Sequence, residues 1–467
     1  MIRAYSGFLS IRYLRTRWVN LLGMIGVAVA VWALIVVIAV FSGFIGEIRS
    51  GIRIATPDLL CTGLPPETSF DAVDALLHED DAVLATAPRL RHYAMYFPSG
   101  ARGRRIERTH GLQTTPLAFD YVELIGIDPR REQEATQFGE WLAQGAEAGL
   151  GVTDPDRPLE VPAALEADWR RSRGLTGTPG PLLGGSPGIL LSTRRVQGGL
   201  LALGQELSVV TGRFVQRDGE SELRQVRRYF AIAGAFRTPH RVLDDTAALV
   251  SIDELRGMLG HPPDSFDAVD LVSDVAIRIA AGADAAAVAK RLEQRLADDF
   301  GASVLTWEAQ NKVYLGAVDQ ERGMMKIILF AVMLVSAFLI YATLHMTVTQ
   351  KTKDIGILTA IGGSPAGVQQ IFLLSGATVG LAGCALGVVT GLLSAHYLND
   401  INDWTKAQFG VELFPTSMYA LERIPYRVDA EWVVQVVLLA LAITLLAAWL
   451  PARRAARMDP VRALSYE

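Results

Sequence analysis

At 467 residues the chain is long enough for more than one domain, half of its residues are apolar and its mean hydropathy is +0.27, which is unusual for a soluble protein of ordinary charge content. The 44 Lys and Arg against 49 Asp and Glu leave a net charge of −5, near neutral for this size, so nothing argues for nucleic acid as a partner. Two cysteines, Cys61 and Cys384, exclude a disulfide framework.

The chain opens on a basic stretch, residues 1–20, that carries Arg3, Arg12, Arg15 and Arg17 and is expected to be helical. From Trp18 to Gly46 no side chain is charged. As a helix, Leu21 to Ile45 would be about 37 Å long against a hydrocarbon layer of roughly 30 Å, which makes residues 21–45 a first membrane span. Basic residues before an apolar run also describe a secretory signal peptide. Its apolar region is only about 7–15 residues, however, and no small-residue cleavage site closes this one, so an uncleaved anchor is expected.

Residues 46–323 then form a segment long enough to bury its own core. Strand-like runs such as "YVELIGI" (121–127), "ELSVVTG" (206–212) and "RYFAIAGAF" (228–236) alternate with helical ones such as "DAAAVAKRLEQRLADDFG" (284–301), which predicts an α+β domain. The stretch 154–187 is rich in Pro and Gly and reads as a loop or insertion. Further apolar runs predict spans at 324–348, 367–396 and 431–452, separated by a short segment (349–366) and a longer loop (397–430), with a tail at 453–467. The fold class is therefore a membrane protein of four transmembrane α-helices with a large α+β extracytoplasmic (periplasmic) domain between the first two. If the spans alternate, the N-terminal arginines, Lys351, Lys353, Arg453, Arg454, Arg457 and Arg462 share one side, which the positive-inside rule makes the cytoplasm. Cys61 would then lie outside and Cys384 within the third span, out of reach of each other.

"GGSPG" (184–188) fits the G-x-S-x-G nucleophile elbow, but Pro187 lacks the N–H that an oxyanion hole requires, so a turn is the better reading. In "HEDD" (78–81) adjacent side chains point different ways, which favours a solvated helix end over a metal site. No catalytic or metal-ligating set is assigned. No G-x-x-x-x-G-K-[ST] occurs, so any ATP must be handled by another polypeptide.

"KTKDIGILTAIGGSP" (351–365) is a short helical run between two spans. Asp354 suits the start of a helix, Ile355, Leu358 and Ile361 give an apolar face, Gly362 and Gly363 stop the run, and Ser364 with Pro365 can start the next helix. It reads either as an amphipathic connector on the lipid surface or as a contact piece for a cytoplasmic partner.

This run resembles the segment between the second and third spans of FtsX/MacB-type ABC transporter permeases, closest to the lipoprotein-releasing LolC/LolE branch. "IRYLRTRWVN", "TWEAQNKVYLGAVDQERGMMKIILFAVMLVSAF", "GVELFPTSMYALERIPYRVD" and the closing "PARRAARMDPVRALSYE" are similar to the same family. The resemblance implies a non-catalytic permease subunit of a type VII, mechanotransmitting transporter in the bacterial inner membrane, with both termini cytoplasmic. It implies no cofactor on this chain, with ATP and Mg on a partner ATPase dimer, and pairing with a second permease copy or a paralogue. Lys351, Lys353, Asp354, Ile355, Leu358, Ile361 and Gly362 would form the ATPase-coupling helix. Val40, Phe41 and Phe44 with Met324, Met325 and Ile328 would touch membrane lipid or a lipoprotein cargo, which would pass to a periplasmic acceptor. Three acyl chains represent on the order of 30 kcal/mol of burial, so they need shelter. Four helices enclose no wide pore, so a dimer is the minimum, and the small-residue run "GATVGLAGCALG" (376–387) offers close helix packing. Export of peptides, lipids or drugs, and regulation of a cell-wall hydrolase, are the alternatives within the superfamily.

Overall fold

The structure, a computed structural model, describes residues 18–65, 68–98, 120–172, 186–197, 201–217, 220–261, 270–411 and 423–459. Most of the expected N-terminal basic helix (1–17), part of the Pro/Gly-rich stretch (173–185), part of the loop after the third span (412–422) and the end of the tail (460–467) lie outside the described residues. The chain divides into two units, Met1–Glu47 with Gly316–Glu467, and Ile48–Leu315.

Among the described residues, four helices are long and apolar enough to cross a membrane. They lie in Trp18–Ala55, Lys312–Gln350, Pro365–His396 and Ala430–Ala456. The first two have 38 and 39 residues, and at 1.5 Å per residue each is about 57 Å long, several turns more than a bilayer core requires. Lipid does not drive helices together by the hydrophobic effect, so association relies on close packing and a few polar contacts. The third helix meets that need with glycine. Gly376 and Gly380 face Ala448 and Thr444 of the fourth helix, while Gly383, Gly387 and Gly391 face Val27, Val31 and Ile35 of the first. The small-residue run, expected to offer close helix packing, provides it within the chain. Trp32 Nε1 donates to Ser394 Oγ at 2.9 Å and Ser336 Oγ to the Gly26 carbonyl at 3.1 Å, tying the first helix to the third and second.

Among the described residues, the other unit is built on a nine-stranded sheet. Its strands are β1 (Leu59–Thr62), β2 (Val83–Pro98), β3 (Asp120–Ile127), β4 (Gly188–Ser192), β5 (Glu206–Arg217), β6 (Glu220–Phe236), β7 (Ala247–Ser251), β8 (Asp274–Ile279) and β9 (Ser303–Thr306). Their order is β3-β7-β4-β6-β5-β2-β8-β1-β9, and β3 also pairs with β2, so six strands form a closed circuit of pairings. The period-2 pleat sends alternate residues of β3 to two cores. Val122 and Leu124 join Leu207, Phe230 and Leu255 on one face, and Ile125 and Ile127 join Trp141 and Phe236 on the other.

The three strand-like runs are strands, and the helix expected from Asp284 is Ala285–Ala297, capped by the Asp284 carboxylate accepting from the Ala286 and Ala287 amides at 3.0 and 3.3 Å. The stretch 154–187 departs from the loop expectation, because Ala163–Ser172 is a helix. Pro and Gly dominate the average there, but these ten residues are mainly Ala, Leu, Glu and Arg, strong helix formers. At 78–81 the expected solvated helix end holds for His78, Glu79 and Asp81, which are exposed just after the helix Phe70–Leu77, but not for the fourth residue. Asp80 is only 7% exposed and grips Arg291 by two bonds of 2.9 and 3.1 Å, and the guanidinium holds its carboxyl below the usual range. At 184–188 the strand begins at Gly188, after the serine rather than before it, the reverse of a nucleophile elbow. Burial pushes the Cys61 thiol up to about 12, which leaves it unreactive.

Candidate functional site

The segment between the second and third spans folds as the nine-residue helix Thr352–Ala360, with Lys351 before it and Ile361 after it outside the regular helix. Asp354 lies in its first turn, where a negative charge complements the helix dipole, and accepts from Lys351 Nζ at 2.6 Å. The stop is a Schellman arrangement: the Gly362 amide donates to the Thr359 carbonyl at 3.1 Å and the Gly363 amide to Leu358 at 2.8 Å. Gly362 has φ +95°, a left-handed conformation that disfavours any side chain. Ser364 Oγ then caps the third span by accepting from the Gly367 amide at 3.2 Å, with Pro365 in the first turn.

The single apolar face expected from Ile355, Leu358 and Ile361 is divided. Ile355 is 4% exposed and packs with Val348, Val368, Phe372, Ala452 and Ala455, the ends of the second, third and fourth spans. Leu358 packs partly on the same cluster. The outward apolar residues are Ile357, 52% exposed, and Ile361, 77% exposed, accompanied by exposed Lys353. Ile355 is therefore an internal anchor rather than a docking residue. Ile357 was missed by the sequence reading, although its four-residue spacing from Ile361 is a helical-face signal. Arg453 stacks over Trp449 at 5.1 Å and Arg454 Nη1 donates to Tyr341 Oη at 3.3 Å, so both arginines have partners within the chain.

At the other candidate surface, Phe41 and Met325 come together in a cleft of about 30 Å³ with Val37, Ile38, Ser42, Lys326 and Trp432. The Lys326 ammonium sits 5.2 Å over the Trp432 ring. Val40 and Phe44 are half-buried, Met324 and Ile328 are more than half exposed, and none of the four lines this cleft. The cleft is about a tenth of the smallest volume, roughly 300 Å³, typical of small-molecule sites, so one copy of the chain does not enclose an acyl chain here.

Residues 326–460 match the family described as FtsX-like permease C-terminal. The chain is 26% identical to the lipoprotein-releasing system transmembrane protein LolC of Neisseria meningitidis over 474 aligned positions, which cover 99% of each chain. It is 26% identical to the corresponding LolE of Haemophilus influenzae across 58% of this chain and 65% of that one. Among solved structures, the periplasmic region of MacB from Actinobacillus actinomycetemcomitans aligns with 58% of this chain and 97% of its own, at a TM-score of 0.31 and 9% identity. The chain is a multi-pass membrane protein whose residues 326–460 match the FtsX-like permease family, and it is similar along its whole length to the LolC transmembrane protein of a lipoprotein-releasing system.

Proposed function

We propose that this chain is the permease subunit of an ATP-driven, mechanotransmitting transporter that extracts lipoproteins from the outer leaflet of the bacterial inner membrane and releases them toward the outer membrane. The observation that carries the reading is the end-to-end similarity to LolC, 99% of both chains, because a shared permease domain alone would suit many cargoes. The chain has no P-loop, so a partner ATPase dimer binds and hydrolyses ATP with Mg. Both termini and the 352–360 helix lie in the cytoplasm, and the β-sheet unit lies in the periplasm.

Under this reading Ile357, Ile361 and Lys353 contact the ATPase, with Asp354 as a polar anchor. Ile355 seats the helix on three span ends, so a push on the outward residues is carried by packed side chains into the bundle. The two long helices are stiff levers for that motion. A second copy or a paralogue completes a lipid-sheltering space beside Phe41 and Met325, since the cleft of one copy is too small.

Depletion of the protein followed by separation of inner and outer membranes tests the reading. Lipoproteins retained in the inner membrane are the expected result. Normal lipoprotein sorting accompanied by altered drug export or cell-wall cleavage would overturn it in favour of another FtsX-type role.

A further inference from the structure

The β-sheet unit contains a cavity of about 340 Å³ that no part of the permease reading uses. The sheet register explains how it arises. Arg89 and Arg91 of β2 pair with Ile127 and Ile125 of β3, Ile125 pairs with Leu249 of β7, and Leu60 of β1 pairs with Leu305 of β9. These side chains, together with Phe236, line one cavity, which is charged where Arg89 and Arg91 meet Glu132 and Glu123, apolar at Leu60, Ile125, Leu249, Leu305 and Phe236, and carries further polar groups such as Thr56, His240 and Asn311. Its volume falls within the range of about 300–1,000 Å³ typical of small-molecule sites.

The polar side is held by two ion pairs. Arg89 donates through Nε and Nη2 to Glu132 at 3.1 and 2.5 Å, and Arg91 donates through Nε to Glu123 at 2.7 Å, with its Nη2 in ion-pair contact with the same carboxylate. Charge therefore cancels, so a multiply charged anion gains no net field. Among the described residues no acceptor is bonded to Nη1 of either arginine, and a guanidinium has five N–H donors. Each arginine is thus fixed in place with donors to spare, and Arg91 remains partly open to solvent.

We propose that this cavity binds a single-chain amphiphile, with the acyl chain against Leu60, Ile125, Leu249 and Leu305 and its carbonyl or carboxylate oxygen accepting from Arg89 or Arg91. A free fatty acid and a lysophospholipid both present that chemistry. The site is separate from the cleft at Phe41 and concerns ligand binding alone, so it stands or falls independently of lipoprotein sorting.

The full chain in phosphatidylcholine nanodiscs is irradiated with a diazirine-bearing fatty acid and, separately, a lysophosphatidylcholine with the same chain, and labelled peptides are mapped by mass spectrometry. Labelling of β1, β3 or β9 is expected. Fatty-acid labelling alone assigns the ligand as a free acid, and labelling by both assigns the acyl-carbonyl unit. Leu305→Trp, which fills the cavity from a half-buried position, should lower this labelling by about tenfold, and Arg91→Gln, at the rim and outside the apolar core, by about threefold or more, with labelling of the four spans unchanged. Labels confined to the spans with both probes, or labelling of β1, β3 or β9 that survives both substitutions, overturns the proposal.

Discussion

Gly387 of the third span approaches the first span so closely that a Cβ built on it would lie 2.6 Å from the Ala28 carbonyl oxygen and 2.8 Å from Val31 Cβ. No side chain can move aside to relieve a clash with backbone, so the two helices must separate. Gly387→Ala is expected to destabilise the bundle by about 1–3 kcal/mol. Gly46, on the first helix, has nothing within 4 Å of such a Cβ, and Gly46→Ala should be neutral or stabilising by up to about 1 kcal/mol. Thermal melting of both variants in nanodiscs checks the opposite signs. Equal effects would show that the glycine positions do not matter for packing.

Arg89 and Glu132 of the β-sheet unit form a deeply buried ion pair, with Thr136 Oγ1 also donating to the Glu132 carboxylate at 3.0 Å. Arg89→Ala strands a carboxylate that is almost wholly enclosed and should cost about 3–5 kcal/mol. Replacing both partners, Arg89→Met with Glu132→Leu, removes the uncompensated charge and should recover most of that loss. Chemical denaturation of the single and double variants measures the difference.

Asp244 provides a pH signature. Its carboxylate is buried, accepts from the Thr238 amide at 3.0 Å and Thr238 Oγ1 at 2.8 Å, and burial raises its pKa to about 6 despite those bonds. The folded chain therefore keeps this proton to higher pH than the unfolded chain, whose value is near 3.8. The contribution is most favourable below the unfolded value and is lost as pH rises toward 6, amounting to roughly 3 kcal/mol above it. Both donors meet Oδ1, which an asparagine retains. Asp244→Asn should raise the melting temperature above pH 6 and flatten its fall between about pH 4 and 6. Parallel melting curves for the two proteins across that range would contradict this.

The four spans were legible because uncharged runs of that length have few other readings. Their ends were less so: Lys312, Asp319 and Glu321 continue the second helix beyond its apolar run, where hydropathy gives no signal but helix propensity does. The strand at 121–127 was legible from its β-formers, whereas the sheet order was not, since β3 pairs with β7 across more than a hundred residues. In the segment 351–365, the caps followed from Gly362, Ser364 and Pro365, whose backbone requirements are local. Which isoleucine faces inward was not legible. Ile355, Ile357 and Ile361 are chemically identical, and only the positions of Val348, Phe372 and Ala452 decide among them.

That division of the isoleucines gives the most direct test of the coupling reading. Ile355→Ala removes a buried side chain from the cluster that seats the helix and should lower stability by about 2–5 kcal/mol. Ile361 is mostly exposed, so Ile361→Ala should change stability by no more than about 0.5 kcal/mol. Its effect should appear instead in the assembled complex, as weaker retention of the ATPase during purification and loss of cargo release at a given rate of ATP hydrolysis. Ile357→Ala should behave like Ile361→Ala, and the pair Ile357→Asp with Ile361→Asp should abolish ATPase retention while leaving the melting curve of the isolated permease in place. Asp354→Ala also breaks the exposed ion pair with Lys351, worth only about 0–1 kcal/mol, so any large functional loss in that variant reports on the partner rather than the fold. If the double aspartate variant still copurifies with its ATPase and releases cargo normally, the helix at 352–360 is not where ATP-driven motion enters this chain.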